Sequence, residues 1–344
     1  MRGLRAKPGW GYGMHAARLV ESTPMTATSL PDEVCEVFDR FITTEYTTID
    51  RQGQPITWPV TPYHHREEGC VDVTTGLGYP KKAYDARANP KVSLLFSDPT
   101  GSGIDSAPMV LVQGTADADD RDLDANRERY WNESMEKLPG TKGMHPPKFL
   151  RGMLNWYYAR IYVHVRPERV YVWPDGNVTE EPQLLDSHME EVRSGHDEEP
   201  DVALESAGGD STAWDERMDE LGRRYRTGVL SIVSPDGFPF SVRIPIEVDP
   251  AERLVRVGAG AVGVPVHPGR ACLVVHEHHP EFKWQRNFQV RGDLLERDGG
   301  WVLAPRKLVG GFELPPGSTL SRYRLNYSKM KRFRKIAKSE MAKR

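Results

Sequence analysis

The pattern of apolar and polar residues changes its period several times in the first part of the chain. Between 31 and 41 the apolar residues recur at helical spacing, which predicts an amphipathic helix. The stretches 44–49 and 55–62 are rich in Thr, Ile, Val, Trp and Tyr, and polar turn residues 50–53 separate them. This arrangement predicts a β-hairpin.

Similar changes of period continue as far as residue 173. Short β-rich segments predict further strands at 70–75, 92–96, 110–116, 159–165 and 170–173. Helical segments are predicted at 81–89, which a proline ends, at 120–137 and around 214–224. The chain therefore has a β-rich centre with peripheral helices.

The second half of the chain repeats the first. The turn that contains Gly53 matches the turn that contains Gly237, and the strand that opens at Pro90 matches one that opens at Pro268. The Val-x-Gly motif at Gly114 matches the same motif at Gly292, and the spacing from proline to glycine is 24 residues in both copies. Three matches in the same order predict an internal duplication.

Composition narrows the class of protein. A 38% hydrophobic and 28% charged chain with net charge −3 is typical of a soluble globular protein without a general affinity for nucleic acid. No apolar run approaches the roughly 20 residues that span a bilayer. The cysteines, Cys35, Cys70 and Cys272, are scattered and have no metal-ligand spacing, so we expect a reducing, cytoplasmic location.

The motifs of the first half resemble those of the pyridoxamine 5′-phosphate oxidase-like superfamily of split β-barrels. They are a turn followed by Pro-x-x-x-Pro-Val, a strand that ends in Thr-Thr, a lysine that opens a helix ending at Asn-Pro, and then Val-Ser-Leu and Val-x-Gly-x-Ala strands. In this chain they stand at Pro55–Val60, Val73–Thr75, Lys81–Pro90, Val92–Leu94 and Val112–Ala116. The resemblance covers 33–173 well, whereas 225–300 match the barrel framework alone.

This resemblance implies an all-β core with peripheral helices, built from two six-stranded split barrels in tandem that form an internal pseudo-dimer. We predict a flexible N-terminal extension at 1–30, a cofactor-binding barrel at 31–176, an acidic linker at 177–213, a degenerate barrel at 214–328 and a basic tail at 329–344. The tail carries apolar residues at helical spacing, so we expect it to dock on the barrel as a helix.

A phosphate site is expected where the Thr-Thr strand ends and the next helix begins. Thr74, Thr75, Lys81 and Lys82 offer hydroxyls, cations and a helix start within nine residues. Lys82 stands eight residues before Pro90, the spacing of the phosphate lysine in the superfamily. The resemblance also implies that the flavin ring lies beside the strand through Thr57, Trp58, Val60 and Thr61, and that Gln113 contributes to the site.

The second copy departs from the motif at this point. Its residues 258–267 contain no lysine and no Thr-Thr pair, and the turn-to-proline distance is 31 residues (Gly237 to Pro268) instead of 37 (Gly53 to Pro90). We therefore expect one working site, with the second barrel as its wall. Residues expected to reach across from that barrel are Arg243, Lys283, Trp284 and Arg286.

His276 and His278 could form a two-ligand pair on one strand face, but a polar loop is the preferred interpretation. No general acid or base stands out. The sequence predicts an oxidoreductase that transfers a hydride between FMN, or the deazaflavin coenzyme F-420, and a small organic substrate selected by the loops 97–109 and 139–155. The alternative is a non-catalytic flavin- or haem-binding protein. Either is expected to be a monomeric pseudo-dimer or a homodimer, without a membrane span or specific nucleic-acid partner.

Overall fold

The computed structural model describes residues 30–144, 154–186, 213–258, 263–311 and 319–344. The strands of the first half are β1 (Thr44–Ile49), β2 (Pro55–Val60), β3 (Tyr63–His65), β4 (Cys70–Gly76), β5 (Lys91–Phe96), β6 (Met109–Asp119), β7 (Arg160–Trp173) and β8 (Gln183–Asp186). Those of the second half are β9 (Thr227–Val233), β10 (Pro239–Asp249), β11 (Leu254–Val257), β12 (Gly269–His278), β13 (Gln285–Arg297) and β14 (Gly300–Gly310). The helices are α1 (Asp32–Arg40), α2 (Lys81–Ala88), α3 (Leu123–Lys137), α4 (Asn155–Tyr158), α5 (Glu216–Arg224) and α6 (Thr319–Met341).

The strands form two antiparallel sheets, one from each half of the chain. The second sheet is a closed six-stranded barrel in the order β10-β11-β14-β13-β12-β9. The first runs β2-β1-β5-β6-β7-β4-β3, and β8 pairs with β7. Its end strands β2 and β3 are separated only by Thr61 and Pro62, so this sheet must curl round until its two ends meet. The predicted fold class of two tandem β-barrels with peripheral helices is confirmed, but the first sheet has eight strands instead of the six expected, because β3 and β8 join it.

The internal repeat is visible in matching irregularities of the two sheets. The β6–β7 ladder shifts register at Gly114, and the β13–β14 ladder shifts at Gly292. A Cβ on either glycine would lie about 2 Å from a backbone carbonyl oxygen of the facing strand, 2.1 Å at Gly114 and 2.0 Å at Gly292. Only glycine permits such a close approach of two backbones, which explains the matching motifs.

One of the sequence matches is out of register by one residue. Ser93 pairs with Thr47 in the first sheet, and the equivalent partner of Ser231 in the second is Cys272. The structural counterpart of Pro90 is therefore Gly269 rather than Pro268. A shared proline before each strand produced the misalignment, because proline marks the start of a strand without fixing its register.

The two barrels pack against each other through β1, β2, β5 and β6 of the first and β9, β10, β12 and β13 of the second. Four buried hydroxyl side chains meet at the centre of this seam, two from each barrel: Thr47, Thr57, Ser231 and Ser241. Thr57 Oγ1 donates to Ser231 Oγ at 2.6 Å, and Thr47 and Ser241 are 2.9 Å apart. Beside them, Trp173 and Leu111 of the first barrel share an apolar core with the second.

Three segments were predicted outside the barrels: the N-terminal extension, the acidic linker and the basic C-terminal tail. Residues 1–29 of the predicted extension and 187–212 of the predicted linker lie outside the described residues, and β8 falls within the segment predicted as linker. The tail is helical as predicted, although α6 begins at Thr319, before the predicted start. Ala337 is buried, and Met330 and Phe333 pack on the core of the first barrel. Among the described helices, none is long and apolar enough to cross a membrane.

Candidate functional site

The two adjacent lysines of the predicted phosphate site have different surroundings. Lys81 is exposed, and its Nζ lies 2.8 Å from an Asp85 carboxylate oxygen and 3.8 Å from one of Asp50. Lys82 is half-buried with its Nζ 5.7 Å from the centre of the Tyr79 ring. No carboxylate pairs with Lys82 among the residues that the structure describes. Its charge is therefore available to an external anion, whereas that of Lys81 is already neutralised.

A second cation, which the sequence analysis missed, lies beside Lys82. Arg160 opens β7 opposite Gly76 of β4 and is only 4% exposed. Its Nη1 donates to Tyr79 Oη at 3.0 Å, and its guanidinium lies 3.9 Å from the Tyr130 ring centre and 4.2 Å from that of Tyr157. Within the described part of the chain no carboxylate pairs with Arg160, and its Nε has no hydrogen-bond partner.

This arrangement changes the pKa of Lys82. Burial, and then the positive charge of Arg160, lower the pKa of Lys82 to about 7. Both effects disfavour the protonated amine. An anion that contacts both cations would raise the pKa of Lys82 again, because it supplies the missing opposite charge. It would also give the Arg160 Nε a hydrogen-bond partner. The arrangement therefore suits a phosphate group.

The connection from β4 to α2 holds these groups in place. Thr75 Oγ1 donates to the backbone carbonyl of Tyr79 at 2.8 Å, which closes the loop. The N–H groups of Leu77 and Gly78 donate to carbonyls just before β7. Thr74 is half-buried opposite Tyr162. No side chain caps α2 in the described structure, so its first turn can add N–H donors to the two cations.

Helix α6 covers this corner from outside. The Phe333 ring lies 5.3 Å from that of Tyr79 and stacks on Trp156 at 5.8 Å. A Cβ on Gly78 would lie 2.8 Å from Phe333 Cβ, so the glycine allows the helix to approach the loop closely. We name the set Lys82, Arg160, Tyr79 and Thr75 the cationic corner.

The other predicted contacts lie in or near the seam between the barrels. Thr57 is fully buried there, and its carbonyl accepts a hydrogen bond from Gln289 of the second barrel. The Gln113 amide donates to the Pro239 carbonyl at 3.0 Å. Trp58 is half-buried, and its ring lies 3.1 Å from the position of a Cβ on Gly311. Val60 packs on the first core, and Thr61 is half-buried.

Among the four residues expected to reach across, Arg243 enters a buried cluster with groups of the first barrel. Its Nη2 lies 3.0 Å from Glu45 Oε1, and its Nε donates to Ser97 Oγ at 3.0 Å. The same Glu45 oxygen lies 2.5 Å from His276 Nε2. Lys283 pairs with Glu281, and Arg286 is 3.9 Å from Glu220, both within the second half; the Trp284 ring lies 6.3 Å from that of His279.

The interpretation of His276 and His278 as part of a polar loop is wrong. Both are buried at the end of β12. His278 Nε2 lies 3.2 Å from Thr43 Oγ1 and 3.7 Å from Asp98 Oδ2. The seam supplies polar partners from the first barrel, which allow both rings to be buried.

A cleft of about 780 Å³ opens on the side of the first barrel where α3 ends. It is lined by the ends of α1 and α3, by β3, by the residues 138–140 that follow α3, by Gly101 and Ser102, and by Pro280 and Glu281 of the second half. Both loops that were expected to select the substrate contribute to this lining. Tyr63 lines the cleft, and its ring also packs on the ring of Tyr130, over which the Arg160 guanidinium lies.

Comparisons with known proteins identify similar solved structures. No family model and no curated protein matches the chain. A conserved hypothetical protein of Mycobacterium tuberculosis is 20% identical with a TM-score of 0.33, and the match covers 42% of this chain and 84% of that one. A relative of general stress protein 26 from Clostridium acetobutylicum, of the pyridoxinephosphate oxidase family, is 13% identical with a TM-score of 0.33, over 45% and 93% of the chains.

An F-420 reductase is 16% identical with a TM-score of 0.28, over 39% of this chain and 92% of that one. Two of these structures are thus described as a protein of the pyridoxinephosphate oxidase family and as an F-420 reductase.

Proposed function

We propose that the chain is an oxidoreductase of the pyridoxamine 5′-phosphate oxidase-like superfamily that binds the phosphate of FMN, or of the deazaflavin coenzyme F-420, at the cationic corner. The observation that supports this proposal is the pair Lys82 and Arg160, two desolvated cations without a carboxylate partner among the described residues. Buried charges are ordinarily paired, so such a pair favours an anionic ligand.

The residues of the corner fit a phosphate group. Arg160 offers a buried N–H without a partner, Lys82 a point charge, and the uncapped first turn of α2 further N–H donors. The bound cofactor would supply hydride transfer. The chain holds the phosphate at the corner, and the aromatic rings around Arg160 exclude water and strengthen each electrostatic contact.

The cleft beside Tyr63 is the proposed entrance for the substrate. Gly101 and Ser102 line it on one side, and Pro139 and Gly140 on the other. A volume of about 780 Å³ is within the range of pockets that bind small organic molecules. Residues of the second half complete the cleft, in keeping with a barrel that serves as the wall of a single site.

Titration of the purified full-length protein with FMN, with coenzyme F-420 and with haemin tests this proposal. One flavin-type cofactor should bind at about one per chain with a change in its absorbance and fluorescence. Reduction of the bound cofactor, followed by its reoxidation on addition of an organic acceptor, distinguishes an enzyme from a carrier without turnover. Binding of haemin alone, or of none of the three, would contradict the proposal.

A further inference from the structure

A cluster of metal-binding side chains lies on the outer face of β4 and β7, apart from the cationic corner. Asp72 pairs directly with His164 across the two strands, and Cys70 precedes Asp72 by two residues. The side chains of residues two apart in a strand project from the same face. Cys70 Sγ is 3.5 Å from Asp72 Oδ1, and His164 Nδ1 is 2.7 Å from the same oxygen.

We propose that Cys70, Asp72 and His164 form a binding site for a zinc-like divalent metal ion, with its fourth position open towards the cleft. One potential ligand atom from each residue lies within 4.8 Å of the others. Thiolate, imidazole and carboxylate are the ligand types that zinc prefers, and three protein ligands with one open position are typical of sites that keep water or substrate on the metal.

The surrounding charges allow a cation to enter. Arg129 Nη2 now lies 2.6 Å from Asp72 Oδ2, and Arg129 Nε donates to Glu133 Oε1 at 2.8 Å. When Asp72 turns to a metal ion, Arg129 keeps Glu133 as its partner. Asp72 and a Cys70 thiolate would together offset the two charges of the ion, as a buried metal requires.

The proposed metal site adjoins the cleft. His65 and Glu133 both line the cleft, and His65 Nε2 lies 3.5 Å from Glu133 Oε1 and 3.4 Å from Asp72 Oδ2. Arg129 Nη2 also lies 2.7 Å from His65 Nε2, so a cation that enters from the cleft has to displace this guanidinium. This inference does not depend on the proposed cofactor, because no residue of the cationic corner takes part in it.

Metal binding must release a proton from this site. A metal ion that binds the Cys70 sulfur as a thiolate displaces the thiol proton, so its affinity should increase with pH.

Titration of the full-length protein with Co²⁺ in the presence of a non-thiol reductant tests the inference. We expect one Co²⁺ per chain and a thiolate-to-cobalt charge-transfer band, which Zn²⁺ abolishes by competition. Cys70→Ser should lose the band, whereas Cys35→Ser and Cys272→Ser, which change the two other free cysteines, should keep it. His164→Gln should weaken binding more than the roughly 10- to 100-fold that loss of an outer partner costs.

Arg129→Met provides a second test that does not remove a ligand. Loss of the positive charge next to Asp72 should strengthen Co²⁺ binding if the ion occupies this site. Zn²⁺ should also raise the midpoint of thermal unfolding of the wild type and of Arg129→Met, but not that of Cys70→Ser. Absence of the band at millimolar Co²⁺, its persistence in Cys70→Ser, or weaker binding by Arg129→Met would overturn the inference.

Discussion

Lys82 and Arg160 are joined through a single tyrosine. Arg160 Nη1 donates to the Tyr79 hydroxyl at 3.0 Å, and Lys82 Nζ lies 5.7 Å from the centre of the same ring. The two come from different elements, the first turn of α2 and the first residue of β7. In the absence of a ligand, this proximity lowers the stability of the fold, because each cation disfavours the charge of the other.

The affinity for a phosphate cofactor should depend on pH in two opposite ways. The second ionisation of a phosphate monoester, with a pKa of about 6, should strengthen binding as pH rises through that value. Above the Lys82 pKa of about 7, Lys82 is deprotonated in the cofactor-free protein. Binding of the phosphate then requires uptake of a proton by Lys82, so the affinity decreases by up to about tenfold per pH unit. FMN titrations between about pH 5 and 9 should show both limbs.

The variant Lys82→Met should lack the upper limb of this profile, because it removes the group that titrates there. A fall in affinity above pH 7 that persists unchanged in the variant would show that another group causes it. Lys137→Met is a useful comparison, since burial lowers the pKa of Lys137 to about 8 but this lysine lies at the cleft rather than at the corner.

Replacement of Lys82 should also change stability in the absence of cofactor. The folded-state pKa of Lys82 lies below its ordinary value of 10.5, so folding disfavours the charged form. This cost is fully present below about pH 7 and disappears as pH rises towards 10.5. Lys82→Met should therefore raise the free energy of unfolding in urea by about 1 kcal/mol at pH 6, a modest value because the side chain is half-buried. The gain should vanish near pH 10; an equal gain at both pH values would contradict the assigned cause.

The two glycines at the matching bulges should tolerate no side chain. Gly114→Ala and Gly292→Ala each force a Cβ against a backbone carbonyl, and each should cost about 3 kcal/mol or more of unfolding free energy. Gly300→Ala is the control, because its Cβ would meet only one atom, at 3.8 Å. Chemical denaturation measures all three. A loss at Gly114 without a loss at Gly292 would argue against equivalent roles in the two barrels.

The buried pair Glu45 and Arg243 should hold the seam between the barrels. Arg243→Met leaves the Glu45 carboxylate buried without its guanidinium, and loss of one partner from a buried ion pair costs about 3–5 kcal/mol. The double variant Glu45→Gln with Arg243→Met should recover part of that loss. A double-mutant cycle in urea measures the coupling, and a coupling near zero would mean that the pair does not stabilise the interface.

Local patterns were enough to predict the two barrels and the helix that begins beside Lys82. The hairpin around Gly53 and the helix that begins at Lys81 both depend on residues close together in sequence. Lys82 was predicted to bind phosphate from its spacing to Pro90, as the resemblance implies, and the structure distinguishes it from Lys81 because Asp50 and Asp85 lie beside Lys81 alone of the two.

The contacts between distant segments could not be predicted in the same way. Arg160 comes close to Lys82 because β7 pairs with β4 and brings residue 160 opposite Gly76. The run of aromatic residues just before Arg160, Trp156–Tyr158, is the signal in the sequence that points to this contact. His276 and His278 were misjudged because their partners, Glu45 and Asp98, belong to the other barrel.

The affinity of two neighbouring lysine variants for FMN tests the central claim most directly. Lys82→Met and Lys81→Met remove the same group one residue apart, but only Lys82 lacks a carboxylate partner among the described residues. We predict that Lys82→Met weakens FMN binding at pH 7 by about 10- to 100-fold, the value of one charge-assisted hydrogen bond, and that Lys81→Met weakens it by less than about threefold. Equal effects of the two variants, or undiminished binding by Lys82→Met, would contradict a cofactor phosphate at this corner.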